Sequence, residues 1–137
     1  MNFSNLANYR ELTDYKPVST PMIIGCKICA DDGTNDVDQK LYRSMVGSLL
    51  YLTASRPDIV LVVGLVARYQ AAPKKNHLLA IKRIFIYLQG TTHHGLWYPK
   101  GKIFILTAYT DADCARCLDD RKSTSGGAFY LGESLVA

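Results

Sequence analysis

With 137 residues, 48% of them hydrophobic and 20% charged, the chain has the length of one domain or parts of two and a globular composition, which excludes a disordered or fibrous polypeptide. Its net charge of +4 permits contact with nucleic acid without demanding it. The first residues show neither the basic start nor the apolar core of a secretory signal, and the longest apolar run, residues 59–67, is far short of the roughly 20 residues a membrane helix needs.

The expected setting is therefore intracellular, in cytoplasm or nucleus, with no membrane partner. Residues 1–36 carry weak periodicity and several chain breakers, among them Pro17, Pro21, Gly25 and Gly33, which predicts an extended lead-in. Residues 37–54 predict a helix. Asp38 suits its N-cap, and Val37 can staple onto Tyr42 one turn in. Leu41, Met45, Leu49 and Leu52 form one stripe, with Tyr42, Val46 and Leu50 beside it. Ser55-Arg56-Pro57-Asp58 breaks that helix and starts another: Pro57 keeps Arg56 out of the helical region, and Ser55 and Asp58 have capping-box spacing.

Residues 59–69 are apolar on nearly every side, and their length favours a buried helix over a buried strand. Pro73 opens a third helix that reaches about residue 88 and is stopped by Gly90. Its apolar stripe is His77, Ile81, Ile84, Phe85 and Leu88, and Lys74, Lys75, Lys82 and Arg83 add a basic component. From Gly95 the texture changes. Leu96-Trp97-Tyr98, a turn over 99–102 and residues 103–109 predict a β-hairpin; a polar loop and a further strand over 127–131 follow. Helices first and strands later predict an α+β architecture with a boundary near 91–95.

Five separated segments carry a family resemblance. Leu41-Tyr-Arg-Ser-Met-Val-Gly-Ser-Leu-Leu-Tyr-Leu-Thr-Ala-Ser-Arg-Pro-Asp-Ile59 resembles the end of a copia-type retrotransposon reverse transcriptase, and Lys16-Pro-Val-Ser-Thr-Pro-Met22 resembles that family's lead-in. Downstream, Pro73 to Tyr87 matches its helix of Pro-x-x-x-His, Ala-x-Lys-Arg and the start of Tyr-Leu-x-Gly-Thr. Tyr109-Thr-Asp-Ala-Asp113 and Asp119-Asp-Arg-Lys-Ser-Thr-Ser-Gly126 resemble the start of its ribonuclease H. The resemblance implies a fragment of a Pol polyprotein: an extended lead-in over 1–36, a helical reverse-transcriptase C-terminal segment over 37–92, and over 93–137 the N-terminal part of a ribonuclease-H-like domain with a truncated antiparallel sheet. Cys114, Arg116 and Cys117 depart from the pattern, standing where the family carries Trp, Gly and Asp.

The resemblance also bounds the chemistry. Polymerases of this kind hold magnesium on an aromatic-x-Asp-Asp strand turn. Asp31-Asp32 and Asp119-Asp120 both lie in loops without that context and read as solvated acids. Ribonuclease H cleaves phosphodiesters with two metal ions held by several converging carboxylates. Asp111 matches the first of these, with Asp113 beside it as a second candidate metal ligand, and the family's next acids fall after residue 137. One or two acids on one strand make a poor magnesium site, so no tightly bound Mg2+ and no activity are expected from these residues alone. The family's partners are an RNA–DNA hybrid or DNA, and the rest of the polyprotein. Lys74, Lys75, Lys82 and Arg83 are the candidate phosphate contacts, against the plainer reading of a solvated basic face.

Cys26-x-x-Cys29 and Cys114-x-x-Cys117 have the form of zinc half-sites, but 84 residues intervene between Cys29 and Cys114, against roughly 15–20 in the usual ribbon, which argues against zinc. His77, His93 and His94 read as structural, and Tyr42, Tyr51, Tyr69 and Tyr87 as core rather than base-stacking residues. A second class of function is a captured fragment reused as a binding protein, such as a secreted pathogen effector of the Arg-x-Leu-Arg type acting in host cells. The chain has no intact Arg-x-Leu-Arg; the partial string Arg116-Cys117-Leu118-Asp119 lies far from the N-terminus, and no host protein is indicated.

Overall fold

A computed structural model describes residues 15–23, 25, 28–30, 33–97, 100, 105–113, 119, 121 and 123–136, with Asp113 and Thr124 described through their backbone alone. Three helices, α1 (Gln39–Thr53), α2 (Val60–Ala67) and α3 (Lys75–Gly90), precede three strands, β1 (Leu106–Asp113), β2 (Thr124–Leu131) and β3 (Ser134–Leu135). The mixed helix-then-strand order is the expected one.

Asp38 caps α1 as its side chain predicts, accepting hydrogen bonds from the Lys40 and Leu41 amides at 2.8 and 3.3 Å. The buried line is Tyr42, Met45, Val46 and Leu49, the i, i+3, i+4, i+7 face of a helix. That rotates the predicted stripe. Leu41 and Leu52 only flank the core, while Leu50 and Tyr51 point outward, Tyr51 being 69% exposed. Tyr51 is therefore not a core residue.

Arg56 takes the extended conformation a following proline imposes (φ −131°, ψ 76°), and Pro57–Ile59 forms one 3-10 turn leading into α2. The capping box suggested by Ser55 and Asp58 does not form. The Ser55 hydroxyl turns back to the Leu52 carbonyl, and Asp58 is claimed by Arg56. α2 is shorter than its apolar run and only half covered: Val62, Val63 and Val66 are buried while Val60 and Leu61 stay about half exposed.

α3 begins where Asp36 and Lys74 form an antiparallel bridge and the Lys75 amide donates to the Asn35 carbonyl at 2.9 Å. It buries His77, Ile81, Ile84 and Tyr87. Gly90 does not stop it as a left-handed cap. The helix runs through Gly90, whose φ is not positive, and ends at Thr91, whose amide donates to the Leu88 carbonyl. Gly90 is needed for another reason: a Cβ there would stand 2.6 Å from the Pro17 Cβ, so the lead-in crosses the helix over a residue with no side chain.

The strands form an antiparallel sheet in the order β1-β2-β3, with Leu106 opposite Leu131 and Asp111 opposite Gly126. A two-residue link joins β2 to β3, with Gly132 in the positive-φ conformation (65°). The predicted hairpin of 96–98 with 103–109 falls largely outside the described residues. Within them Leu96 and Trp97 are not strand, β1 pairs with β2, and the Trp97 carbonyl is taken by the Ser134 hydroxyl. Tyr98 and residues 101–104 lie outside the described residues. Among the described residues the buried hydrophobic core comes from the helices and the 3-10 turn, while Leu106, Tyr109 and Phe129 of the sheet stay exposed. Among the described residues no strand pairs with the outer edge of β1.

Candidate nucleic-acid interface and acidic strand

Asp111 sits inside β1 rather than at its end, exposed and opposite Gly126. Asp113 is the last residue of the same strand. Among the described residues no three His, Cys, Asp or Glu side chains gather closely enough to hold a metal ion. Asp31, Asp32, Asp120, Cys26, Cys114 and Cys117 lie outside the described residues. Asp119, read as a solvated loop acid, is instead a tie. Its carboxylate accepts from the Ala30 amide at 2.9 and 2.8 Å and from the Tyr69 hydroxyl at 3.2 Å. Those contacts join the polar loop after β1 to the lead-in and to the end of α2.

The four basic residues of α3 are not equivalent. Lys74 is the N-cap residue and pairs with Asp36 at 2.9 Å. Lys75 is exposed, and Lys82 half buried one face-repeat later. Arg83 donates from Nη2 to the Thr20 hydroxyl at 3.1 Å, and its Nε is buried with no hydrogen-bond partner. One turn of helix thus faces solvent and another faces the lead-in.

His77 is fully buried. Its Nδ1 accepts from the Lys74 amide at 2.9 Å, which leaves the proton on Nε2, and Nε2 donates to the Cys29 carbonyl at 2.8 Å. The ring stacks on Tyr69 with centroids 4.1 Å apart and meets Tyr42 edge-on at 6.5 Å. It is a structural histidine, as expected. The Tyr42 hydroxyl donates to the Val66 carbonyl at 2.7 Å, and burial pushes that phenol well above its usual range. His93 and His94 are exposed in the link after α3.

Sequence reasoning missed one cluster. Arg56 grips Asp58 with both ends of its fork, Nε to Oδ1 at 2.9 Å and Nη2 to Oδ2 at 2.7 Å. The same guanidinium donates to the Thr91 carbonyl at 3.2 Å and hydroxyl at 2.8 Å, and it lies 5.8 Å from the centre of the Tyr87 ring. The Tyr87 hydroxyl closes the cluster on Asp58 at 2.8 Å. Arg56 holds the Asp58 carboxyl below the usual carboxylate range, and burial raises the Tyr87 phenol. The cluster ties the Arg-Pro-Asp turn to the Tyr-Leu-Gln-Gly-Thr end of α3 and forms one wall of an 820 Å³ groove whose far side includes Trp97 and Ser134. Its donors and acceptors satisfy one another, so it fixes architecture rather than poising a reactive group.

A three-helix cluster joined to a three-stranded antiparallel sheet defines a mixed α/β chain. No family model and no solved structure matches the chain. Among curated proteins it is 45% identical over 122 residues to the "Retrovirus-related Pol polyprotein from transposon RE1" of Arabidopsis thaliana, covering 89% of this chain and 8% of that protein. It is 42% identical over 129 residues to the corresponding polyprotein of transposon TNT 1-94 from Nicotiana tabacum, covering 89% and 10%. It is also 37% identical over 97 residues to "Secreted RxLR effector protein 161" of Plasmopara viticola, covering 70% and 68%. The chain belongs to the copia-type retrotransposon Pol polyprotein family. It spans about a tenth or less of the length of the transposon polyproteins it matches.

Proposed function

We propose that residues 37–92 are the C-terminal helical segment of a copia-type reverse transcriptase, and residues 93–137 the opening of its ribonuclease-H-like domain, reached through the lead-in 1–36. The observation that carries this reading is the match to transposon polyproteins over 89% of the chain, in one order, across a fold that passes from helices to sheet between α3 and β1. In this reading the segment contacts the phosphate backbone of an RNA–DNA hybrid or DNA weakly through α3. It works in cytoplasm or nucleus beside the rest of its polyprotein, and it catalyses neither polymerisation nor hybrid cleavage alone. No helix among the described residues is long and apolar enough to cross a membrane.

The donor set supports the inactive reading. Magnesium demands near-octahedral oxygen coordination, and two-metal hydrolysis needs acids from several elements. Asp111 and Asp113 share one strand and do not make that set. Purified residues 1–137 with Mg2+ and a labelled RNA–DNA hybrid are expected to give no cleavage above background. Metal-dependent cleavage abolished by Asp111→Asn would overturn the assignment. Binding of the same hybrid is expected to be weak, indifferent to sequence and lost as salt rises, with a slope of roughly −0.9 per phosphate contact on duplex DNA. Lys75→Glu with Lys82→Glu should remove it.

The effector relative favours a second reading, a captured segment reused as a non-enzymatic binding protein secreted into a host cell, since that match covers 68% of the effector's length. Export of a tagged full-length chain would carry the second reading; retention inside the cell would carry the first.

A further inference from the structure

The lead-in touches α3 at successive points. Pro17 crosses at Gly90, where a Cβ would meet it at 2.6 Å. Val18 and Met22 pack against the helical core. Between them, Thr20 Oγ1 accepts the 3.1 Å bond from Arg83 Nη2. Arg83 is thereby half buried with its Nε enclosed and unpartnered. A guanidinium is an uncomfortable occupant of such a site. One neutral hydroxyl satisfies little of a fork built for two anionic oxygens.

We propose that residues 15–23 act as an autoinhibitory strap on α3, and that a nucleic-acid phosphate competes with Thr20 for Arg83 when the strap lifts. This rests on the reading of α3 as a phosphate-contacting helix. With the strap down, exposed Lys75 is available to the backbone while Arg83 is engaged with Thr20. Strap release adds a contact of the bidentate type that arginine makes best, on the same helix.

Gly90→Ala tests this directly. Alanine is the better helix former, so α3 itself is favoured, and the added methyl collides only with Pro17. Thr20→Val is a second route, removing the hydroxyl while keeping the shape. Both leave every charge in place, including Lys16 on the strap. Anisotropy of a labelled RNA–DNA hybrid should show Gly90→Ala binding several-fold tighter than the wild type at low salt. Its salt slope should be steeper by roughly 0.9, the value of one further duplex phosphate contact. Thr20→Val should move the same way by less, and Arg83→Gln should cancel both gains. Circular dichroism confirms that each variant keeps its helices; should Gly90→Ala not fold, Thr20→Val decides. Wild-type binding with no gain in the variants overturns the strap alone, as does a gain that survives Arg83→Gln. No binding by any of the proteins at low salt overturns the nucleic-acid reading and the strap with it.

Discussion

Arg56→Ala is expected to destabilise the helical cluster by about 2–4 kcal/mol, placing it between an exposed ion pair and a buried one broken on one side. The Arg56 side chain is 12% exposed and that of Asp58 32%, so water screens the pair only in part. The truncation removes two bonds to Asp58 and two to Thr91, and it leaves the Asp58 carboxylate with only the Tyr87 hydroxyl among its side-chain partners. Urea unfolding followed by the helical circular-dichroism signal measures the change. A loss below about 0.5 kcal/mol, the size of an ordinary surface substitution, would show that the cluster is decorative.

The same cluster sets a pH signature. The Asp58 pKa is lowered in the folded chain, chiefly by the hydrogen bonds from Arg56, from an ordinary value of 3.8. Its contribution is therefore fully present above that value and is lost as pH falls through the lower folded one. An acid limb that begins near pH 3.8 in the wild type should be shallower in Asp58→Asn. The Tyr87 phenol is shifted up from 10.0, so its contribution holds below that pH and fades as pH rises through the folded value.

These predictions mark what the sequence could and could not carry. Asp38 as a cap, α1 and α3 as amphipathic helices, and the later change to strands all follow from local rules: capping chemistry and the 3.6 and 2 periods act within a few residues. What failed depends on partners far along the chain. Arg56 reads as the residue before a proline, and nothing within ten positions announces that Tyr87 and Thr91 will meet it. Gly90 reads as a helix stop because glycine commonly is one, whereas its role is set by Pro17, more than seventy residues earlier. Asp119 reads as a loop acid until Ala30 and Tyr69 are seen beside it. Tyr51 has helical spacing with other tyrosines, but periodicity gives the angle between side chains and not which side the core lies on. The pairing of β1 with β2 has the same origin, since it reaches across the polar loop and no local turn signal announces it.

The acidic strand was legible only through resemblance. Asp111 is one exposed aspartate on an exposed strand, and no burial, charge partner or converging group among the described residues distinguishes it. A family motif can identify a position whose chemistry depends on groups contributed from elsewhere. The helical cluster is the opposite case: its own side chains complete it, and its stability is the property most open to test.

His77 is fully buried on α3, and His77→Phe is expected to cost about 2–3 kcal/mol even though it keeps an aromatic ring in the same place. Phenylalanine preserves stacking on Tyr69 and the edge contact with Tyr42, so little cavity is created. It cannot accept from the Lys74 amide or donate to the Cys29 carbonyl, two part-buried bonds each contributing about 1 kcal/mol. His77→Ala adds a cavity to the same two losses and should cost about 3–5 kcal/mol, much of the 5–15 kcal/mol that typically holds a small domain together. Two further variants divide the polar part. Asn can place an oxygen near the position of Nδ1 and keep the Lys74 bond; Gln can place an amide near Nε2 and keep the Cys29 bond. Each should recover part of what Phe loses. Hydrogen exchange at the Lys74 amide adds a local reading, with faster exchange expected in His77→Phe than in His77→Asn. If His77→Phe unfolds at the wild-type urea midpoint, the two hydrogen bonds contribute nothing, and the histidine is no more than a flat ring between two tyrosines.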